Sequence, residues 1–164
     1  MAETDIFKVL NDLNIPFEKQ EHKAIFSDED SKDVVITLPG VDVKNLFVKD
    51  KNGNYGLVSM ALHKRADLKK IAAKFGFGRL SFCNPDEMMK YLNITPGSVT
   101  PLCIMFDTEK KVKILYDENF AGNRVIVHPL RNTASVSISF DDLCRFTEHF
   151  GHSFELADVY KEEE

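Results

Sequence analysis

The chain has 164 residues and a mass of 18.7 kDa, the length of one domain that can bury a substantial core. Its apolar fraction of 43% and charged fraction of 29% are ordinary for a globular protein, and its net charge of −5 argues against a general nucleic-acid binder. The N-terminus lacks the basic and apolar regions of a signal peptide, and no apolar run approaches the roughly 20 residues of a membrane helix, so we expect a cytoplasmic protein.

The N-terminal quarter of the chain predicts two helices around an extended segment. Thr4 can cap a first helix, and Pro16 comes just after the end of that helix. The stretch FEKQEH that follows is expected to be extended. Ser27 and Asp30 have the spacing of a capping box, which predicts a second, acidic helix that ends before LPG.

A β-hairpin and a helix are predicted next. The apolar stretches 43–49 and 55–60 are separated by DKNG, whose Asn-Gly pair is typical of a tight hairpin turn. A helix is expected to begin at Asp67 and to stop at Gly76, because its apolar residues recur on one helical face.

The second half of the chain predicts further strands between two helices. After a short strand RLSFC, Asn84, Pro85 and Glu87 indicate a helix start. Beyond TPGSVTP, the stretches LCIMF, VKILY, RVIVHPL and SVSIS are predicted strands, with the turn DTEKK joining the first two. A final helix is capped by Ser139 or Asp141. This order predicts a single α+β domain, with a mixed sheet covered by helices.

Positive charge is concentrated in one sector of the sequence. Residues 44–79 carry nine basic and two acidic side chains, whereas residues 1–43 and 80–164 each have a balance of −6. Such a sector either steers a polyanion to one face or is simply the solvated lysine face of a helix.

Common catalytic motifs are absent from the sequence: there is no Gly-x-Ser-x-Gly elbow, no Walker loop and no His-Glu-x-x-His zinc motif. Cys144, His149 and His152 lie close together in the chain, but a zinc ion would need a fourth ligand, so no metal is expected. The two histidines are expected to cap the C-terminus of the last helix. Together with Cys83 and Cys103, Cys144 is expected to be a reduced thiol in the core.

Three stretches carry polar groups that point to a binding site. Lys44 and Asn45 begin an otherwise apolar strand and face opposite sides, so the Lys44 ammonium either reaches solvent or meets an anion. The loop Gly97–Pro101 offers backbone groups at close approach. His128 ends a strand, before a loop that carries the polar side chains of Asn132, Thr133 and Ser135. Because strand ends often meet at one crevice, these stretches form a candidate site.

The blocks LPG…KNLFVKDKNG, DLKKIAAKFGFGRLSFCNPDEMMKYLNITPGSVTPL and HPLRNTASVSISFDDLCRFTEHFGH resemble the YbaK-like aminoacyl-tRNA deacylases. These are free-standing relatives of the editing domain of bacterial prolyl-tRNA synthetase. The resemblance runs from about residue 4 to residue 158 and is closest to the subgroup that removes alanine from proline tRNA. It implies a mixed, partly barrelled sheet flanked by helices over residues 1–164, and no cofactor. The charged composition of KEEE separately predicts a disordered tail after about residue 160.

The resemblance also implies a role for each candidate residue. Lys44 would hold the phosphate or ribose of the terminal adenosine. The backbone around Gly97 would orient the ester carbonyl and the attacking water or ribose hydroxyl. His128 would form a boundary of the amino-acid pocket. Other residues expected in the pocket are Asn45, Phe47, Ser98, Val99, Thr100, Pro101 and Asn132. Positive charge makes four further residues candidates for contact with the tRNA stem: Lys64, Arg65, Lys69 and Arg79.

The chain departs from the family at residues 22–27, which read HKAIFS where the family has His-Pro-Pro-x-Phe-Thr. We expect a trans-editing hydrolase that removes alanine from proline tRNA, and another small amino acid such as cysteine or serine is the alternative. A different reading is a non-catalytic module that binds tRNA or a synthetase. We expect a monomer whose partner is mischarged proline tRNA, with prolyl-tRNA synthetase as a second candidate partner.

Overall fold

The computed structural model describes residues 3–24 and 34–161, with side chains from residue 6 onward. Within these ranges, no helix is long and apolar enough to cross a membrane. The α-helices are α1 (Glu3–Asp12), α2 (Leu68–Phe75), α3 (Pro85–Leu92) and α4 (Phe140–His149). Two short 3-10 helices are η1 (Pro101–Phe106) and η2 (Glu118–Phe120).

The strands form one mixed sheet. They are β1 (Glu18–Glu21), β2 (Val41–Lys49), β3 (Tyr55–Ala61), β4 (Ser81–Phe82), β5 (Val112–Asp117), β6 (Arg124–Val127), β7 (Ala134–Ser139) and β8 (Phe154–Ala157). Their order is β1-β7-β6-β2-β3-β5-β8, and β4 pairs with the end of β2. The pairs β2–β6, β3–β5 and β5–β8 are parallel, and the others are antiparallel. The described sheet is open at β1 and β8, which confirms a mixed sheet flanked by helices rather than a closed barrel.

Helices cover the sheet on both faces. The larger core joins apolar side chains of α1, α3, η1 and α4 to one face of the strands. The smaller core lies under α2, where Ile71 and Phe75 pack with Val48, Val58 and Leu115 of the central strands. Burial of these side chains is the main stabilising contribution to the fold.

Several local predictions are confirmed in detail. The hairpin turn between β2 and β3 contains Gly53 with a φ of +82°. Asp67 caps α2 by accepting hydrogen bonds from two backbone N–H groups, and Gly76 ends it in the left-handed conformation. Asn84 and Glu87 form a complete capping box at the start of α3.

The first predicted helix is present, whereas the second predicted helix cannot be compared with the structure. Helix α1 begins at Glu3, one residue before Thr4, its predicted cap. The predicted second helix, with Ser27 and Asp30, lies outside the described residues, as does the end of the acidic tail at 162–164.

The predicted strand LCIMF is wrong, and so is its hairpin with VKILY. These residues form η1, which Pro101 begins and Thr100 caps by accepting a hydrogen bond from the Leu102 N–H group. Residues 101–105 are all buried, and a short apolar run that is buried on every side reads alike as a strand or a helix. VKILY does form β5, which pairs in parallel with β3 and β8 instead.

The expectation that His152 caps the C-terminus of α4 is wrong. The C-terminal region also contains a strand, β8, that the sequence did not predict. The His152 side chain does not cap α4, because it is buried with its Nε2 atom 3.6 Å from Asp107 Oδ2. Burial lowers the pKa of His152, so the ring carries no charge to offer the helix end near neutral pH. Its backbone N–H donates to the Thr147 carbonyl instead. His149 lies in the last turn of α4 and Ser139 caps its start, as predicted.

Candidate active site

Strand β2 divides its two polar residues between the two faces of the sheet. Lys44 is in phase with Leu46 and Val48, which lie in or against the smaller core under α2. Asn45 is in phase with Phe47, which is buried in the larger core on the other face. The alternation predicted from the sequence is confirmed, and the two polar side chains leave β2 in opposite directions.

The Lys44 ammonium lies against the loop that follows β3. Its Nζ atom donates a hydrogen bond to the backbone carbonyl of Lys64, and its neighbour on β3 is Met60. The side chain is half-buried. Because an ammonium in such a position needs acceptors for its N–H groups, the carbonyl fixes the direction in which the charge points.

The loop that holds Lys44 is itself fixed by the C-terminal segment. The backbone N–H of Lys161 donates to the Arg65 carbonyl over 2.9 Å, and the Lys64 ammonium lies 5.6 Å from the centre of the Tyr160 ring. The Tyr160 hydroxyl donates to the carboxylate of Asp117, which is fully buried at the end of β5. The position of Lys44 thus depends on contacts made more than a hundred residues further along the chain.

The parallel pairing of β2 with β6 sets His128 on the face that carries Lys44. Asp42 pairs with Ile126; Lys44 lies two residues further along β2, and His128 lies two residues after Ile126, directly after the end of β6. Because two residues return a strand side chain to the same face, Lys44 and His128 leave the sheet on the same side, at the end of β6.

The hydrogen bond of His128 defines which ring nitrogen can accept a proton. Its Nδ1 atom lies 3.0 Å from the Ala134 carbonyl oxygen, which can only accept, so Nδ1 carries the hydrogen. Burial lowers the pKa of His128, with a smaller contribution in the same direction from His22. The ring is therefore neutral near pH 7, and its Nε2 atom has a lone pair.

His22 is a residue of this region that the sequence did not single out. Its Nδ1 atom is 2.8 Å from the Lys23 carbonyl oxygen, and its Nε2 atom accepts from the Ser135 hydroxyl over 2.9 Å. The centre of its ring is 6.3 Å from that of His128. The only signal in the sequence was its place at the start of HKAIFS. Two imidazoles and a buried hydroxyl thus form a polar wall beside the end of β6.

Asn45 ties the glycine loop to the other face of β2. Its side-chain amide donates to the Val99 carbonyl over 3.1 Å, and its amide oxygen accepts from the Ser59 hydroxyl over 2.5 Å. Gly97 has a φ of +87°, a conformation that favours glycine. The hydrogen bond from Asn45 therefore sets where the loop Gly97–Pro101 lies against the strand.

Within the described sheet, one edge of β2 lacks a paired strand between its contacts with β6 and β4. Among the described strands, β6 pairs with residues 41–42 and β4 with residues 48–49, so 43–46 have no strand neighbour on that edge. The Phe47 carbonyl faces the same edge, because it accepts from the Cys83 N–H group. By strand alternation, the N–H and C=O groups of Asn45 point into this gap. A ligand in the gap can meet that backbone together with side chains from both faces.

The aminoacyl-tRNA editing domain is the family whose model matches the chain, over residues 22–146, about three quarters of its length. The chain belongs to this family. Editing an aminoacyl-tRNA means hydrolysing the ester between the amino acid and the ribose, so this is a family of deacylases.

Relatives with known names cover nearly the whole chain. The prolyl-tRNA editing protein ProX of Acetoanaerobium sticklandii is 31% identical over 160 residues, which cover 96% of this chain and 98% of that protein. The prolyl-tRNA synthetase associated domain-containing protein 1 of Danio rerio is also 31% identical over 160 residues, with coverage of 93% and 87%. A crystal structure of a candidate trans-editing enzyme for prolyl tRNA synthetase matches with a TM-score of 0.73 at 19% identity, over 99% of both chains. At that identity the structural match shows the fold alone.

In this editing domain, most of the other residues predicted for the pocket are buried. Phe47 lies in the core, 5.9 Å from the Tyr55 ring between centres. Ser98 is buried and donates its backbone N–H to the Thr95 carbonyl. Buried positions are also found for Thr100, Pro101 and Asn132. A direct contact of these residues with substrate stays a prediction.

Three of the basic residues predicted to contact tRNA lie near Lys44, in or just after the loop that follows β3, and the fourth, Arg79, lies beyond the far end of α2. Lys64 and Arg65 belong to the loop after β3, Lys69 to the first turn of α2, and Arg79 to the connection that follows this helix. Arg65, Lys69 and Arg79 are exposed, and Lys64 is half-buried. This is an arrangement that a polyanion approaching the Lys44 side would meet.

Proposed function

We propose that the chain hydrolyses the ester of alanine wrongly attached to proline tRNA, as a free-standing editing enzyme. The observation that carries the proposal is the placement of Lys44 and His128 on one face at the end of β6, beside a gap that the glycine loop borders through Asn45. Membership of the editing family supports hydrolysis, and the prolyl-tRNA editing relative supports the choice of tRNA.

Lys44 holds the acceptor end of the tRNA. Its ammonium is directed by the Lys64 carbonyl and is half-buried, so it attracts a phosphate or ribose oxygen of the terminal adenosine more strongly than an exposed lysine would. A bound anion would account for an ammonium in phase with two apolar side chains of β2. The strand places a positive charge where the substrate is anionic.

His128 bounds the amino-acid end of the site. The lone pair on its Nε2 atom accepts a hydrogen bond from the substrate's ammonium group or from the attacking water, because Nδ1 is already engaged with Ala134. A half-buried, neutral ring suits this role, since a protonated ring would repel the ammonium of the amino acid.

The glycine loop stabilises the negative charge that develops on the ester carbonyl oxygen. Water attacks the carbonyl carbon, the bond from that carbon to the ribose oxygen breaks, and the ribose oxygen takes up the proton. Backbone N–H groups of the loop near Gly97 are the donors, with the loop held by Asn45. An aminoacyl ester is already activated, so positioning and backbone dipoles suffice without a side-chain nucleophile, and the neighbouring ribose hydroxyl can assist.

The amino acid and the partners are finer parts of the proposal. A cysteine or serine ester would fit similar chemistry, because one methylene or hydroxyl in a pocket changes binding by only about 1–3 kcal/mol. We propose that the chain acts as a monomer and needs no synthetase for turnover. Sedimentation of the free protein, and deacylation with and without added prolyl-tRNA synthetase, test these two points.

Deacylation of Ala-tRNA(Pro) tests the function directly, with Ala-tRNA(Ala), Pro-tRNA(Pro) and Cys-tRNA(Pro) alongside. Multiple turnover on Ala-tRNA(Pro) alone is the expected result. Turnover on Cys-tRNA(Pro) instead would change the amino acid and keep the reaction. Binding of tRNA without release of any amino acid would overturn the enzyme assignment in favour of a binding module, which protects the ester only in a one-to-one complex.

A further inference from the structure

A basic cleft lies at the end of the sheet opposite to Lys44. It has a volume of about 400 Å³ and opens between the C-terminal end of α2, the start of β5 and the turn before β8. The charged side chains that line it include Lys74, Lys110, Lys113 and Glu155. The charge distribution along the sequence did not reveal this cleft, because Lys110 and Lys113 belong to a sector of net negative charge.

The three lysines of the cleft are held without carboxylate partners. Lys113 donates to the Phe75 carbonyl over 3.4 Å, and Lys110 donates to the Thr108 carbonyl over 3.1 Å. Within the described part of the chain, no carboxylate oxygen lies within 4.0 Å of the ammonium of Lys74, Lys110 or Lys113. The cleft therefore combines three positive charges with the single negative charge of Glu155, and a bound anion offsets the excess positive charge.

The cleft is aligned with the candidate active site along one face. Lys113 pairs with Gly56 of β3, against which the Phe75 ring of α2 packs, so Lys113 is on the α2 side of the sheet, as Lys44 is. Lys44 pairs with Met60, four residues from Gly56, which corresponds to roughly 13 Å along the strand. Helix α2 spans this distance, with Lys69 near one end and Lys74 near the other.

We propose that this cleft binds a phosphodiester group of the tRNA body while the acceptor end lies at Lys44. The proposal rests on the proposed function, because it takes tRNA as the ligand. The exposed lysines of α2 connect the two places, so a duplex stem that leaves the active site along α2 reaches Lys74, Lys110 and Lys113. Such contacts to phosphate position the tRNA without reading its sequence.

Binding of uncharged tRNA to the whole protein tests the cleft, with the variant Lys74→Gln/Lys113→Gln. The matched control is Lys8→Gln/Lys111→Gln, which removes the same charge from exposed lysines that do not line the cleft. At low salt we expect about a tenfold loss of affinity for the cleft variant and little change for the control. The slope of log affinity against log salt should become shallower by about one for each cleft lysine removed.

The assignment would be overturned if the cleft variant kept the wild-type tRNA affinity and salt slope, or if the control lost as much tRNA affinity as the cleft variant. It would also be overturned if wild type bound ATP and the cleft variant lost ATP binding but kept tRNA binding. The last outcome would make the cleft a site for a free nucleotide. Thermal unfolding checks that each variant folds.

Deacylation separates this proposal from the proposed function. A short aminoacylated hairpin that ends before the cleft should be hydrolysed equally by wild type and cleft variant, whereas KM for full-length aminoacyl-tRNA should rise in the variant. If no substrate is hydrolysed, the proposed function fails, and the binding measurement still tests whether the cleft contacts tRNA. If hydrolysis is normal and the affinity for tRNA is the same in wild type and in the Lys74→Gln/Lys113→Gln variant, only the cleft proposal fails.

Discussion

The Lys44 ammonium is hydrogen-bonded to the backbone carbonyl of Lys64, so the polar start of β2 is tied to the loop after β3. That loop is in turn fixed by the C-terminal segment, where Lys161 donates to the Arg65 carbonyl. The side chain that we propose to hold the substrate is therefore oriented by a main-chain carbonyl of this loop. This separates two effects that mutation can test: the loss of the ammonium and the loss of its support.

Replacing Lys44 by Ala should lower the single-turnover rate of ester hydrolysis by about a hundredfold or more, because a charge that holds the reacting end of the substrate is lost. Lys64→Ala is the matched control, since it keeps the carbonyl that orients Lys44. Measured at saturating enzyme, its rate should stay within about a factor of two of wild type, even if its KM rises. A Lys44→Ala enzyme with the wild-type rate would remove Lys44 from the mechanism.

Tyr160 should stabilise the loop that supports Lys44. Tyr160→Phe removes a hydrogen bond to the buried carboxylate of Asp117, and we expect a loss of about 1–2 kcal/mol in the free energy of unfolding in urea. A double-mutant cycle with Asp117→Asn isolates the pair. A coupling energy near zero would show that the contact does not contribute, whereas about 1 kcal/mol is the value expected for a direct partner.

Parts of the fold that depend on local chemistry were predictable from the sequence. Asp67 and Gly76 bound α2, and Asn84 begins α3, because capping uses short side chains and left-handed glycines within a few residues. LCIMF was not, because a fully buried apolar run has no period that separates a strand from a 3-10 helix. Strand β8 has only four residues, and its pairing with β5 is a contact distant in sequence.

The same division applies to the candidate site. The polar pair Lys44 and Asn45, and their opposite directions, follow from strand alternation alone. The approach of His22 to His128 and the meeting of Lys113 with α2 come from pairings between strands far apart in the chain, and the carbonyl that receives Lys44 lies in a loop whose course no residue pattern specifies. Side-chain patterns along one strand contain no information about such neighbours.

Asn45 should act through the position of the glycine loop. Asn45→Asp replaces the amide that donates to Val99 by an oxygen that repels the carbonyl, so we expect kcat to fall about tenfold or more, with little change in tRNA affinity. Ser59→Ala removes only the hydrogen bond to the amide oxygen of Asn45 and should have a smaller effect on kcat. If the two variants lower kcat equally, Asn45 is better explained as a support of β3 than as an anchor of the loop.

His128 should make both stability and rate depend on pH in the same range. Its pKa is lowered by burial from the ordinary value of 6.5. As the pH falls below 6.5, the unfolded chain takes up a proton that the folded protein does not, so the free energy of unfolding decreases until the pH passes the folded pKa. Above 6.5, both states are neutral at this residue and its contribution is constant.

His128→Gln removes this dependence while keeping a side chain that can donate to the Ala134 carbonyl. Urea unfolding between pH 7.5 and 5 should therefore show a steeper loss of stability in wild type than in the variant, with His152 titrating equally in both. If the Nε2 lone pair takes part in hydrolysis, kcat/KM of wild type should also fall with acid, at the folded pKa below 6.5, from a level well above that of the variant. A variant with the wild-type rate and the wild-type pH profile would show that His128 only packs against β7.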